Sequence, residues 1–271
     1  MKLHKGFTLV ELMVAVTLGL IVIAGTLVAW MHVQRYYDRA QAENRLHERA
    51  QYVFATLEPE LQMAGYMGLG TLVPAMDARA LPLSARRCGD ALLTGLATAL
   101  EVSDNRYVLP CAAEGRGVVP ATDVLTIRRA SARLATPAPG RAQLLGLVAT
   151  PTRTLIWNGA LPPGVALLPS RVELRDFILR SYYVARGADG DVNTPALRVK
   201  SLTAISGSPA FVDTEVMEGI EDLQVTSLPP GGPPRSVQVT LGVRADAADV
   251  RAGEPLPRRR YTRHFTLRNA L

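Results

Sequence analysis

Residues 7–30 form a run of 24 whose only charge is Glu11. At a helical rise of about 1.5 Å per residue the run is about 36 Å long, enough to cross a hydrocarbon core of about 30 Å. Residues 1–6 ahead of it are basic, with Lys2, Lys5 and His4 and no acid. An excess of lysine on one side predicts a cytoplasmic N-terminus and an outward location for everything after Trp30. A cleaved secretory signal fits poorly. The apolar run exceeds the 7–15 residues such a signal uses, and Ala29-Trp30-Met31 lacks small residues at the cleavage positions. The helix is therefore expected to stay, which excludes a purely cytosolic globular protein.

Past Trp30 the composition becomes mixed but the helical period continues. Val33, Tyr37, Ala40, Leu46, Ala50, Val53, Leu57, Leu61 and Ala64 recur mostly three or four apart. Arg35, Arg39, Glu43, Arg45, Glu48 and Arg49 fall opposite them, so the pattern predicts an amphipathic helix over 31–64. Pro59 should bend or end it, and Gly65 is a natural stop. His32 and His47 read as surface residues of this helix.

Residues 65–120 are loop-rich, with Pro74, Pro82, Cys88, Pro110, Cys111, Gly115 and Gly117. Strand-like runs follow at 124–128, 154–157, 177–185, 197–202, 223–227, 237–243 and 261–267, separated by turn clusters at 187–190 and 229–234. Short turns between strands argue for an antiparallel sheet, and the outer half of the helix is the available cover for its apolar face. The fold class expected is α+β, a long N-terminal helix packed on an antiparallel sheet. Cys88 and Cys111 can pair if this region lies outside the cytoplasm; otherwise they are two unrelated thiols.

The chain carries a formal charge of +6, and residues 251–271 hold six arginines against Glu254 alone. Only three of its basic residues are lysines, Lys2, Lys5 and Lys200, a bias that fits a GC-rich genome. The basic tail fits a solvated strand with alternate arginines; a weak DNA contact through Arg258, Arg259, Arg260 and Arg263, interleaved with Tyr261 and Phe265, is the competing reading. In a strand Tyr261, Arg263 and Phe265 share one face, which directs the aromatics toward the core. An enzyme is not expected: beyond the helix the sole histidine is His264, too few for a triad or a His-rich metal site. The segment 189–193 opens like a calcium loop, but Thr194 replaces the glycine and Lys200 the final glutamate, so a turn without metal or cofactor is expected.

The string Lys5-Gly6-Phe7-Thr8-Leu9-Val10-Glu11-Leu12, with its short basic leader and the apolar helix behind it, resembles the type IV prepilins. In that family a membrane aspartyl peptidase cuts after the glycine and methylates the new N-terminus. The resemblance implies cleavage of the Gly6–Phe7 bond, N-methylation of Phe7 and an assembly contact at Glu11. It divides the chain into a leader (1–6), a transmembrane half-helix (7–30), an amphipathic periplasmic half-helix (31–64) and a globular domain (65–271). The physics is consistent: a carboxylate in lipid costs roughly 2.5–3.5 kcal/mol, and a cleaved amine on a neighbouring subunit offsets it.

Within the family, Leu61-Gln62-Met63-Ala64-Gly65-Tyr66-Met67-Gly68, the stretches 122–128, 182–185 and 218–225, and the C-terminal 259–269 are similar to the PilW minor pilins. Those chains often have a cysteine straight after the A-G-Y-x-G stretch, where this one has Leu69; Cys88 with Cys111 is still the only intrachain pair possible. The resemblance implies a minor pilin that helps initiate pilus assembly, in twitching motility and adhesion. Its implied partners are the prepilin peptidase, other minor pilins, the major pilin and inner-membrane lipid. Minor pseudopilins of type II secretion share the same helix and are the first alternative; a membrane-anchored adhesive or DNA-binding module never assembled into a fibre is the second.

Overall fold

The computed structural model describes residues 8–68, 82, 87, 88, 92, 95, 98–147, 150–165, 172–189, 193–229, 234–245 and 256–269. Helix α1 (Leu9–Gln62) is 54 residues long. Thr8 caps it from an extended backbone, its Oγ1 accepting the Glu11 N–H at 3.3 Å. Ala42, Leu46, Ala50, Val53, Phe54, Leu57, Glu60 and Leu61 are its buried residues, one stripe at helical spacing. The stripe starts later than the sequence pattern suggests: Val33 and Tyr37 stay exposed, because the domain reaches back only to Ala42. Nor does Pro59 end the helix, which runs on to Gln62. Glu60 and Leu61 are buried against the domain, and that packing outweighs the lost Pro59 N–H.

Among the described residues the strands form two antiparallel sheets. The larger has the path β1 (Leu100–Ser103), β2 (Val124–Ala130), β5 (Val172–Ala185), β3 (Pro139–Leu147), β4 (Thr150–Asn158), with β6 (Ala196–Ile205) pairing β5 and β7 (Ser208–Glu218) pairing β6. The 14-residue β5 organises it, pairing β3 through Val172–Asp176, β2 through Phe177–Tyr182 and β6 through Arg180–Ala185. The smaller sheet is β8 (Ile220–Leu228), β9 (Ser236–Arg244) and β10 (Arg258–Thr266), with β9 central. Three of these strands, β1, β3 and β7, were not expected from the sequence.

The helix stripe is shared between the sheets. Leu46, Val53, Leu57 and Leu61 pack in one core with Leu125, Ile127, Tyr182 and Val184 of the larger sheet and Val237, Val239, Leu241 and Val243 of β9. Asp123, buried ahead of β2, fastens the two sheets: its carboxylate accepts the N–H of Asn105 at 2.8 Å and of Val225 at 2.7 Å. A second core lies apart from the first, with Met67, Leu109, Leu144, Phe177, Leu179 and Tyr183. Cys88 and Cys111 join it as a disulfide with Cα atoms 4.5 Å apart, which links two points of the loop-rich region against this core. Gly65 turns the chain off the helix with φ +78°; a Cβ there would stand 2.6 Å from the Asn269 carbonyl oxygen.

Candidate functional site

The helix continues far beyond what the domain covers. No residue from Leu9 to Gln41 is buried, and Leu12, Leu18, Ile21, Leu27 and Trp30 each expose more than half their surface. This stretch is long and apolar enough to cross a membrane, and none of it is buried by the rest of the chain. Its few hydroxyls are silenced locally. Thr17 donates to the Met13 and Val14 carbonyls, and Thr26 to the Ile23 carbonyl, as a lipid-facing helix requires. Glu11 stands in the first turn, where a negative charge favours the positive end of the helix dipole. Gly6 and Phe7 lie outside the described residues, so the structure shows Glu11 and its cap without the proposed processing site.

At the domain end the same helix is clasped by charge. Glu60 is buried and accepts two bonds from Arg129, at 2.9 and 2.8 Å, and one from Arg180 at 2.6 Å. Arg49 donates to Glu218 at 3.0 Å and to the Arg244 carbonyl at 3.2 Å, packing against Gly219. A further buried network stands in the larger sheet, where Asp213 accepts from Arg198 and Lys200, both at 2.7 Å, and from the Tyr183 hydroxyl at 2.8 Å. Burial opposes the Arg198 charge, but its bonds to Asp189 and Asp213 prevail and hold its pKa above the usual value. Sequence reasoning missed these networks because their partners are far apart in the chain.

The basic C-terminal strand is internally paired. Arg258 meets Glu221, Arg259 meets Glu43, Arg260 meets Asp222 and Arg263 meets Glu58, at 3.1, 2.9, 3.6 and 3.8 Å. Phe265 is buried against Phe54, and Tyr261 is half-buried beside His47. The aromatics thus face inward while their arginines are neutralised, an arrangement that offers little to a phosphate backbone. His264 is exposed on β10. Of the candidate calcium loop, residues 190–192 lie outside the described residues, and the Asp189 carboxylate is held by Arg198 at 2.6 Å. Among the described residues no group of His, Cys, Asp and Glu is placed to hold a metal.

Residues 1–27 match the family model described as the prokaryotic N-terminal methylation motif. No curated protein and no solved structure matches the chain. The motif covers only the leader and the first turns of α1, where it coincides with the exposed apolar helix. It fits a chain anchored in a membrane by this helix and suggests processing by a prepilin peptidase. A prepilin-type N-terminus on an α+β domain supports a place for the chain among the type IV prepilins, as a pilin-like or pseudopilin subunit.

Proposed function

We propose that the protein is a minor pilin of the PilW group that helps initiate type IV pilus assembly. One observation carries the reading: a methylation-type N-terminus leads directly into a helix of whose first 33 residues none is buried by its own chain. Such a surface needs lipid before assembly and neighbouring helices after it. In this reading the peptidase cuts after Gly6, Phe7 becomes the methylated N-terminus and Glu11 faces the amine of a neighbouring subunit. The N-terminus is cytoplasmic and the domain periplasmic until the subunit passes into the pilus. Its partners are other minor pilins and the major pilin, and its work supports twitching motility and adhesion.

The test is a deletion in the native host, scored in parallel for surface pili with twitching and for exoprotein secretion, with wild-type or Glu11→Ala copies returned. Loss of pili with secretion intact, restored by wild type alone, is the expected result. Loss of secretion with pili intact would assign the chain to the pseudopilus instead. Full restoration by Glu11→Ala would remove the assembly role of that carboxylate.

A further inference from the structure

An open groove of about 1030 Å³ lies where the two sheets meet at one end of the domain. Arg116, Arg186, Arg244 and Arg260 line it, together with Glu221 and Asp222. The acids are already answered, Glu221 by Arg258 and Asp222 by Arg260. Arg116 and Arg186 are held side by side by their backbones, the Arg116 N–H donating to the Arg186 carbonyl at 2.7 Å. Both are exposed, and among the described residues neither guanidinium has an ion-pair partner. Arg244 donates to the Asn193 carbonyl at 2.8 Å, and among the described residues its Nε has no hydrogen-bond partner and its charge meets no carboxylate. All four arginines of β10 meet a carboxylate; among the described residues these three do not.

We propose that this groove binds an extended acidic peptide segment of a neighbouring subunit, whose carboxylates pair with Arg116, Arg186 and Arg244. The identity of the neighbour rests on the assembly reading; the chemistry of the groove does not. Guanidinium forks match carboxylates in geometry and charge. A nucleic acid fits less well, because among the described residues no aromatic side chain lines the groove for base stacking.

Position favours a subunit over lipid headgroups. Arg244 is tied to Arg49, and Arg259 to Glu43, near where α1 enters the domain, whereas Asn269 meets Gln62 at the far end. The groove therefore opens at the end of the domain from which the bare helix protrudes. With Trp30 at the membrane surface, helical rise sets Arg49 about 28 Å above it. That is several times the screening length of about 8 Å at physiological salt. A neighbour lying along the protruding helix comes within reach.

The test uses the full chain in neutral detergent micelles and a fluorescein-labelled octapeptide of alternating Glu and Ser, followed by anisotropy at low salt. Wild type is expected to bind, and Arg116→Glu with Arg186→Glu to weaken binding by about tenfold or more. Arg133→Glu, an exposed arginine away from the groove, should change it by less than about twofold. No binding by wild type, or equal loss with Arg133→Glu, would overturn the proposal. So would tighter binding of a labelled single-stranded oligonucleotide or of phosphatidylglycerol vesicles, either one also reduced by the groove reversals. Because the assay contains no pilus, a chain that binds the peptide yet never enters fibres would defeat the assembly reading and uphold the groove. A chain that assembles normally without binding the peptide would do the opposite.

Discussion

The two parts of α1 are one continuous helix with opposite surroundings. Before Ala42 no side chain is buried; from Ala42 on, the stripe through Leu46, Ala50, Val53, Leu57 and Leu61 is almost fully enclosed. Apolar content does not distinguish them, since the exposed part is the more apolar. What differs is where the covering atoms come from. The part from Ala42 on is covered by β2, β5 and β9 of its own chain, and in the part before it no residue of α1 is buried. Stability of the domain should therefore respond to one part and ignore the other. Phe54→Ala should cost about 3–5 kcal/mol in urea unfolding of the full chain in detergent. Leu18→Ala should leave the same transition within about 0.5 kcal/mol. A comparable loss from Leu18→Ala would mean that the exposed part leans on the domain.

The next largest effect should come from the clasp at the helix end. Glu60 is 4% exposed and answers both Arg129 and Arg180, so Glu60→Ala strands two guanidinium groups against a buried surface. Breaking a buried pair from one side costs about 3–5 kcal/mol, reduced here because Arg180 is partly exposed. About 3 kcal/mol is the expected loss by the same unfolding measurement. An effect below about 1 kcal/mol would show that packing alone holds the last turn past Pro59.

That clasp also marks what the sequence makes legible. The helix, its long apolar start and seven strands follow from periodicity, because each is written in neighbours three, four or two apart; the helix itself ends at Gln62, three residues ahead of the glycine expected to stop it. Strand β7 does not, since Asp213 and Glu215 within it look like loop residues. They sit opposite Lys200 and Arg198 of β6, and the ion pairs make the polar strand tolerable. In β3 Ala142, Leu144, Leu145 and Leu147 lack alternation, because residues on both its faces are buried. β1 has only four residues. The groove arginines come from segments far apart in sequence, and no local pattern predicts their meeting. Glu11 was legible from one charge in an apolar run, and the contact proposed for it is one with another chain, which no pattern in this sequence could display.

Alkaline pH sharpens the contrast on the covered side. Burial, with the nearby Glu60 charge, pushes the Tyr182 hydroxyl up to about 12 against the opposing pull of Arg180 and Arg129. Tyr107 and Tyr183 are shifted upward too, mainly by burial. The denatured chain gives up the Tyr182 proton near pH 10 and the native chain only near 12. Unfolding between those values releases a proton, so this stabilisation is complete below pH 10 and is lost as pH rises through about 12. Two units correspond to about 2–3 kcal/mol. Tyr182→Phe should flatten the fall of stability measured above pH 10 but leave the slope due to Tyr107 and Tyr183. An unchanged slope would mean that Tyr182 ionises without unfolding.

The smallest effect belongs at the boundary itself. Arg259 reaches Glu43 at 2.9 Å, one residue past Ala42, the first buried position of α1. Both side chains are mostly exposed, at 60% and 57%, so water screens the pair and ordering two long side chains offsets much of the attraction. Arg259→Ala should then lower stability by no more than about 0.5 kcal/mol, and the difference should vanish when Glu43→Ala is already present. A coupling above about 1 kcal/mol in that double-mutant cycle would show that the domain seals the helix at Glu43. The covered part would then begin with an enclosed ion pair, and the uncovered part would end there abruptly instead of grading into solvent.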